Sequence, residues 1–186
     1  MDREPLRDVT DQELHELAER AGRALLAAGL HIVTAESCTG GWIAKALTDI
    51  PGSSQWLECG YVTYSNAAKE RDLAVPGEVL NGDGAVSEAT VRHMARGALK
   101  VSGAQLAVSV SGIAGPDGAT PGKPVGTVWF GMARRAAGHV EDSAYPKLFA
   151  GDRDQVRRQS VAFALRLVLD AAVDASGGGD LQQAQP

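Results

Sequence analysis

Apolar residues recur at helical spacing through Leu14, Leu17, Ala21, Leu25 and Ala28, which predicts an amphipathic first helix. Thr10 and Glu13 stand in capping-box relation at its start, and Gly29 offers its stop. The short β-branched run "LHIVTA" then predicts a strand. After "ESCTGG" the helical period returns at Ile43, Ala46, Leu47 and Ile50, until "PGSS" ends it. "CGYVTYS", from Cys59, predicts a second strand, and Ser65 caps a short helix carrying Lys69 and Leu73. Ser87 caps another, with Val91, Met94, Ala95, Ala98 and Leu99 on one face. "LAVSVS" predicts a third strand that runs into "GIAGPDGATPGKPVG", where glycine and proline exclude helix and regular strand. "TVWFGMA" and "AYPKLFA" predict antiparallel neighbours around a turn at "AAGHVED". Asp152 opens a last helix with Val156, Ser160, Phe163, Leu167 and Val168 on its inner stripe.

Helices alternating with strands, with an antiparallel end, predict an α/β fold: a three-layer α/β/α sandwich with one mixed sheet. One domain is expected over residues 10–172, with no internal repeat. Residues 1–9 and 175–186 have little to bury and are expected to be flexible.

Composition narrows the function. The 186 residues are 44% hydrophobic, enough for one substantial core. A net charge of −5 disfavours nucleic acid and anionic membrane as partners, so an anionic ligand must meet a local cluster of donors. No charged-then-apolar leader and no apolar run of bilayer length is present, and a cytoplasmic location is expected. Cys38 and Cys59 lack metal spacing, and in that compartment two free thiols are expected.

In open α/β sheets ligands gather at the carboxyl ends of strands. "ESCTGG", "YSNAAK" and "SGIAGPDG" each follow a predicted strand. Ser37 lies between strand and helix, where a nucleophile elbow would place it, and Gly40 and Gly41 permit close backbone approach with N–H groups for an oxyanion. The plainer reading is a capped turn with glycine chosen for its geometry. Cys38 is a rival nucleophile, but adjacent side chains leave a strand in opposite directions, so only one of the pair faces a pocket. Thr39 is either a cap or a donor to substrate.

His15, His31 and His93 fall in or beside helix and strand segments and His139 in a turn, so no histidine stands out as a base for Ser37, and the five lysines are the alternative. Lys69 follows a strand end on the candidate edge, and as a base it needs a pKa lowered by burial or nearby positive charge. A solvated helix lysine is the plainer alternative. Tyr64 could pass a proton, orient Lys69, or be an ordinary strand aromatic. Arg153, Arg157 and Arg158 crowd a helix start, where the dipole disfavours cations. Arg153 and Arg157 share a face and could bind a phosphate together, or the arginines could pair with Asp152 and Asp154.

Taken in order, "TAESCTGGWIAKALTDIPGSS", "GYVTYSNAAK", "GAVSEATV", "VSVSGIAGPDG", "KPVGTVWF" and "GDRDQVRRQS" resemble the CinA C-terminal domain family. The resemblance runs from about Leu14 to Val168. It implies a three-layer α/β fold and an amidohydrolase that converts nicotinamide mononucleotide to nicotinic acid mononucleotide and ammonia, in pyridine nucleotide salvage. It further implies no metal or other cofactor, and a homodimer or higher homo-oligomer. Carried onto this chain, it implies Ser37, Lys69 and Tyr64 as catalytic residues. Thr39, Gly40, Gly41, Ser111, Gly112, Gly115, Arg153 and Arg157 are the expected substrate-binding residues, with Pro116 in the same glycine-rich stretch. Ala119 stands where the family pattern has a second glycine, and "TPG" follows it as an insert. Two other functions fit the same residues: a non-catalytic nucleotide-binding or regulatory module, and an amidase for another small amide.

Overall fold

The computed structural model describes residues 3–177. Its core is one five-stranded sheet in the order β2-β1-β3-β4-β5, where β1 is Ile32–Glu36, β2 Leu57–Val62, β3 Leu106–Gly112, β4 Thr127–Ala136 and β5 His139–Leu148. β1 pairs in parallel with both β2 and β3, while β4 and β5 are antiparallel, so the sheet is mixed as expected. Every residue of β1 is buried, as a central strand covered on both faces requires.

Helices α1 (Asp11–Ala28), α2 (Trp42–Thr48) and α6 (Arg153–Ala175) cover one face. There Leu14, Leu25, Leu47, Leu165 and Val168 close over Ile32, Val108 and Phe130. The other face carries α3 (Asn66–Leu73), α4 (Gly77–Gly82) and α5 (Glu88–Val101), where Leu73, Met94 and Leu99 meet Val33, Ala35 and Ala107. No described helix is long and apolar enough to cross a membrane.

The polar residues read as caps act as caps. The hydroxyls of Thr10, Ser65 and Ser87 accept from the N–H groups of Glu13, Ala68 and Thr90, and Gly29 closes α1 in the left-handed conformation. Asp152 and Gln155 form a full capping box at the start of α6. Three features depart from the sequence reading. α4 and a 3₁₀ turn at Ser53–Gln55 are too short to show a period. The turn expected over "AAGHVED" shrinks to Ala137 and Gly138, with the strands extending to Ala136 and His139. β5 is an edge strand with half-exposed positions, so it lacks the alternation that marks a strand, and Pro146 is tolerated there.

Residues 3–10 are neither helix nor strand, yet the Glu4 N–H donates to the Leu148 carbonyl and Val9 is buried. α6 continues to Ala175, and the tail beyond Gly177 lies outside the described residues.

α3 is pinned by a close crossing of α5. A Cβ at Gly97 would stand 1.9 Å from the Leu73 carbonyl oxygen, one turn beyond Lys69. Helix propensity alone favours Gly97→Ala by about 1 kcal/mol. The backbone clash opposes it, since overpacking of this kind costs about 3 kcal/mol. Net destabilisation of about 2 kcal/mol is the expected outcome, read as a lower urea midpoint at unchanged slope. A higher midpoint would show that the two helices do not meet at Gly97.

Candidate active site

Three strand ends meet at one edge of the sheet. Thr63, just past β2, donates its N–H to the Glu36 carbonyl at 2.9 Å, and Ser37, just past β1, donates to the Val110 carbonyl of β3 at 3.0 Å. Thr63, Ser37 and Ser111 therefore lie abreast on neighbouring strands.

The turn from β1 into α2 is organised by a residue that the sequence reading gave no role. The Glu36 side chain is fully buried and accepts the hydroxyls of Thr34 and Thr39 at 3.2 and 2.7 Å. It also accepts the N–H groups of Gly41, Ile43 and Ala44 at 3.1, 3.0 and 2.9 Å. Helix starts leave such donors without intrahelical partners, and Gly41 has no side chain to cap them. The strand carboxylate does so instead, with Gly40 and Gly41 at φ +66° and +93° to make the bend. An acid closing an apolar strand just before a glycine pair was the available signal.

These bonds revise the oxyanion site expected from Thr39 to Gly41. The Gly40 N–H is already given to the Ser37 carbonyl at 3.1 Å and the Gly41 N–H to Glu36, so neither is open. Thr39 is buried, with its hydroxyl held by Glu36, so that side chain does not reach outward.

Lys69 lies in the first turns of α3 with 1% of its surface exposed. Its Nζ is 3.1 Å from Ser37 Oγ, 2.7 Å from the Thr63 carbonyl and 3.4 Å from the Tyr64 carbonyl. None of these partners is a carboxylate, and burial holds the Lys69 pKa below its ordinary 10.5. As the ammonium, Nζ donates to both carbonyls and to Ser37 Oγ; as the neutral amine it would keep two donors for the carbonyls and turn a lone pair to the Ser37 hydroxyl. Thr63 Oγ1 is buried beside this cluster without a partner.

Cys38 points into the core and is 6% exposed, and burial pushes its thiol up to about 12. A thiol in that state supplies almost no nucleophilic thiolate at neutral pH. Cys59 is also a free thiol.

The other expected residues divide. Tyr64 meets Lys69 through its backbone carbonyl, whereas its ring is 62% exposed and its hydroxyl accepts from Arg153 Nη2 at 3.3 Å. Arg153 also donates to the Gly115 carbonyl at 2.7 Å, which ties the glycine-rich loop to the end of β2. Arg157 donates instead to the Cys38 and Thr39 carbonyls at 3.1 and 3.0 Å and stacks on Trp42. Arg158 pairs with Asp154 and Asp11, so the ion-pair reading holds for that arginine. At the α6 start the Asp152 carboxylate takes the Gln155 N–H at 2.9 Å. Ser111 is buried at its strand end. Gly112 and Gly115 have packing reasons: a Cβ would meet Val128 Cγ2 at 2.7 Å and Val125 Cγ1 at 2.6 Å respectively. Among the described residues no group of three or more His, Cys, Asp and Glu side chains is placed to hold a metal ion.

Known proteins share both sequence and fold. The family model for the CinA C-terminal domain matches residues 14–172. The nicotinamide-nucleotide amidohydrolase PncC of Shigella flexneri is 56% identical over 158 residues, covering 85% of this chain and 94% of that protein. The protein of the same name from Pseudomonas putida is 55% identical over 150 residues, covering 80% of this chain and 91% of its own length. Among solved structures, the competence/damage inducible protein CihA of Agrobacterium tumefaciens superposes with a TM-score of 0.80 at 42% identity, covering 89% of this chain and 99% of that one.

Replacing the Glu36 carboxylate by an amide sets an NH₂ group against backbone donors. Glu36→Gln is expected to lower stability by about 2 to 4 kcal/mol in urea denaturation, since hydrogen bonds to a charged group contribute about 1.5 to 3 kcal/mol each. A loss below about 0.5 kcal/mol would show that the elbow does not depend on that carboxylate. At pH 7.5 iodoacetamide is expected to leave Cys38 unmodified until the chain unfolds, as followed by peptide mass; rapid native labelling would reinstate it as a candidate nucleophile.

Proposed function

The chain belongs to the CinA C-terminal domain family, and from that premise we propose that it is an amidohydrolase that deamidates nicotinamide mononucleotide to nicotinic acid mononucleotide and ammonia, in pyridine nucleotide salvage. The observation that carries this reading is the buried Lys69 amine, 3.1 Å from the Ser37 hydroxyl and without a carboxylate partner. Relatives that are more than half identical over most of their length bear that enzyme's name.

In the proposed reaction neutral Lys69 accepts the Ser37 proton while Oγ bonds to the carboxamide carbon. The tetrahedral species collapses as the C–N bond breaks, and the Lys69 proton leaves with ammonia. Water then attacks the acyl–serine, giving a proton back to Lys69 and returning it to Ser37 as the carboxylate departs. The substrate's pyridinium charge near Lys69 opposes the ammonium form and so favours the base. Arg153, at the joined rim of two loops, is the proposed partner of the phosphate.

A purely binding module gives no reason to bury a lysine with only a hydroxyl and two carbonyls for company. That arrangement penalises the charged lysine and serves proton transfer.

Purified Ser37→Ala, folded by circular dichroism, is expected to release ammonia from nicotinamide mononucleotide at least about 10³-fold more slowly than wild type. Retention of most activity would remove Ser37 from the mechanism. The pH dependence has a definite sign. Lys69 must be unprotonated in the free enzyme, so kcat/KM is expected to rise with pH through an acid limb centred below 10.5. Lys69→Met is expected to abolish that limb along with the activity, and an unchanged limb in a residually active variant would assign the base elsewhere.

A further inference from the structure

Arg157 was considered above as a phosphate ligand, but its contacts give it a different task. Nε and Nη2, two donors of one planar fork, are fixed on consecutive carbonyls of the elbow, those of Cys38 and Thr39. The Trp42 ring lies against the guanidinium at 5.1 Å from its centroid. These contacts are internal and orient the peptide planes on either side of Thr39.

The N–H groups of the elbow can be followed one by one. Ser37 gives its N–H to Val110, Gly40 to Ser37, and Lys45 to Gly41. Gly41, Ile43 and Ala44 give theirs to Glu36. Among the described residues this leaves the N–H groups of Cys38, Thr39 and Trp42 without an acceptor on another residue. The Thr39 N–H belongs to the same planar peptide as the Cys38 carbonyl, and in a trans peptide the two point in opposite directions. Holding that carbonyl toward α6 therefore turns the Thr39 N–H away from α6. The next peptide behaves likewise: its carbonyl is on Arg157, and its N–H, that of Gly40, returns to the Ser37 carbonyl at 3.1 Å.

We propose that Arg157 is a positioning residue which, by gripping the Cys38 and Thr39 carbonyls, sets the Thr39 N–H, with that of Cys38 beside it, as the oxyanion donors for attack by Ser37. The inference rests on Ser37 being the acylated nucleophile; of the span expected from Thr39 to Gly41 it keeps Thr39 and replaces the two glycines by Cys38. Lysine cannot replace the fork, because one ammonium lacks the parallel planar donors that reach both carbonyls at once.

The test uses Arg157→Gln and Arg157→Lys in the full chain, with urea midpoints measured beside the kinetics. Loss of an oxyanion donor slows chemistry by about 10²-fold. Both variants are accordingly expected to lose kcat for ammonia release on that order, with KM for nicotinamide mononucleotide within about twofold of wild type and the preference for nucleotide over riboside kept. A small fluorophosphonate supplies a readout free of substrate recognition. Ser37 Oγ bonds to phosphorus, the P–F bond breaks, fluoride leaves with the electron pair, and the serine proton passes to Lys69. Labelling of Ser37, read by intact mass, is expected to slow in parallel with kcat.

Raised KM, intact kcat and loss of nucleotide preference would overturn the proposal and make Arg157 a phosphate ligand. Equal phosphonylation of wild type and both variants would also overturn it. If wild type leaves nicotinamide mononucleotide untouched while phosphonylation remains Arg157-dependent, the substrate reading fails and the present inference stands. Should Arg157→Gln fail to fold, Arg157→Lys, which keeps the charge over Trp42, decides by the same measurements.

Discussion

The site depends on how a buried strand can end in a bend with most of its peptide N–H groups paired. β1 is covered on both faces, so the turn that follows it starts inside the protein, where an unpaired N–H costs about 1 to 3 kcal/mol. Glu36 meets that constraint from the strand side, collecting three helix N–H groups and two hydroxyls on one carboxylate. A Ser or Asp cap within the turn would have satisfied one or two donors at most. With the carboxylate beneath it, the turn can use glycine at both of its left-handed positions and still remain fixed. The serine that begins the bend is therefore held by the core.

Sheet order supplies the second requirement. β1 lies between β2 and β3, so the residues after all three strands are neighbours although they are far apart in the chain. Three residues separate β2 from α3, and the Lys69 side chain returns over the strand end to Ser37. That closeness carries a penalty with a clear sign. A lysine whose pKa is lowered in the folded state binds fewer protons than in the unfolded chain at pH values between the lowered pKa and 10.5. Its burial therefore weakens the fold most at pH values below the lowered pKa, and the penalty lifts as pH rises through that window. The close packing of Leu73 against Gly97 and the Ser65 cap hold α3 in place against it. A local disadvantage kept under such restraint is what a functional residue is expected to show.

Legibility in the sequence followed the range of the interaction. Helix starts at Thr10, Ser65, Ser87 and Asp152 were readable because a cap and its recipient lie three residues apart. β5 was readable only in part, because an edge strand meets solvent and core irregularly and loses the period-two signal. Ser37 and Lys69, which the structure brings to 3.1 Å, could be singled out because both stand just beyond predicted strands. That Cys38 turns into the core while Ser37 meets Lys69 could not be read from the sequence, because adjacent residues do not report burial. Glu36 was visible as an acid in an apolar run, but its three backbone partners exist only once the turn is built.

The arginines at the start of α6 show most clearly what sequence pattern leaves open. Three cations at a helix N-terminus oppose the dipole, and the spacing of Arg153 and Arg157 puts them on one face. Pattern alone suggests one shared task. In the fold each has its own: Arg158 pairs with Asp154 and Asp11, Arg153 joins Gly115 to Tyr64, and Arg157 reaches back to the Cys38 and Thr39 carbonyls. The Cys38 and Thr39 contacts span more than a hundred residues, so no local window contains both partners. The start of α6 thereby reaches all three loops of the candidate site. Arg153 and Arg157 fix that passage by donating to carbonyls of the glycine-rich loop and of the elbow, while Arg158 adds ion pairs to Asp154 and Asp11.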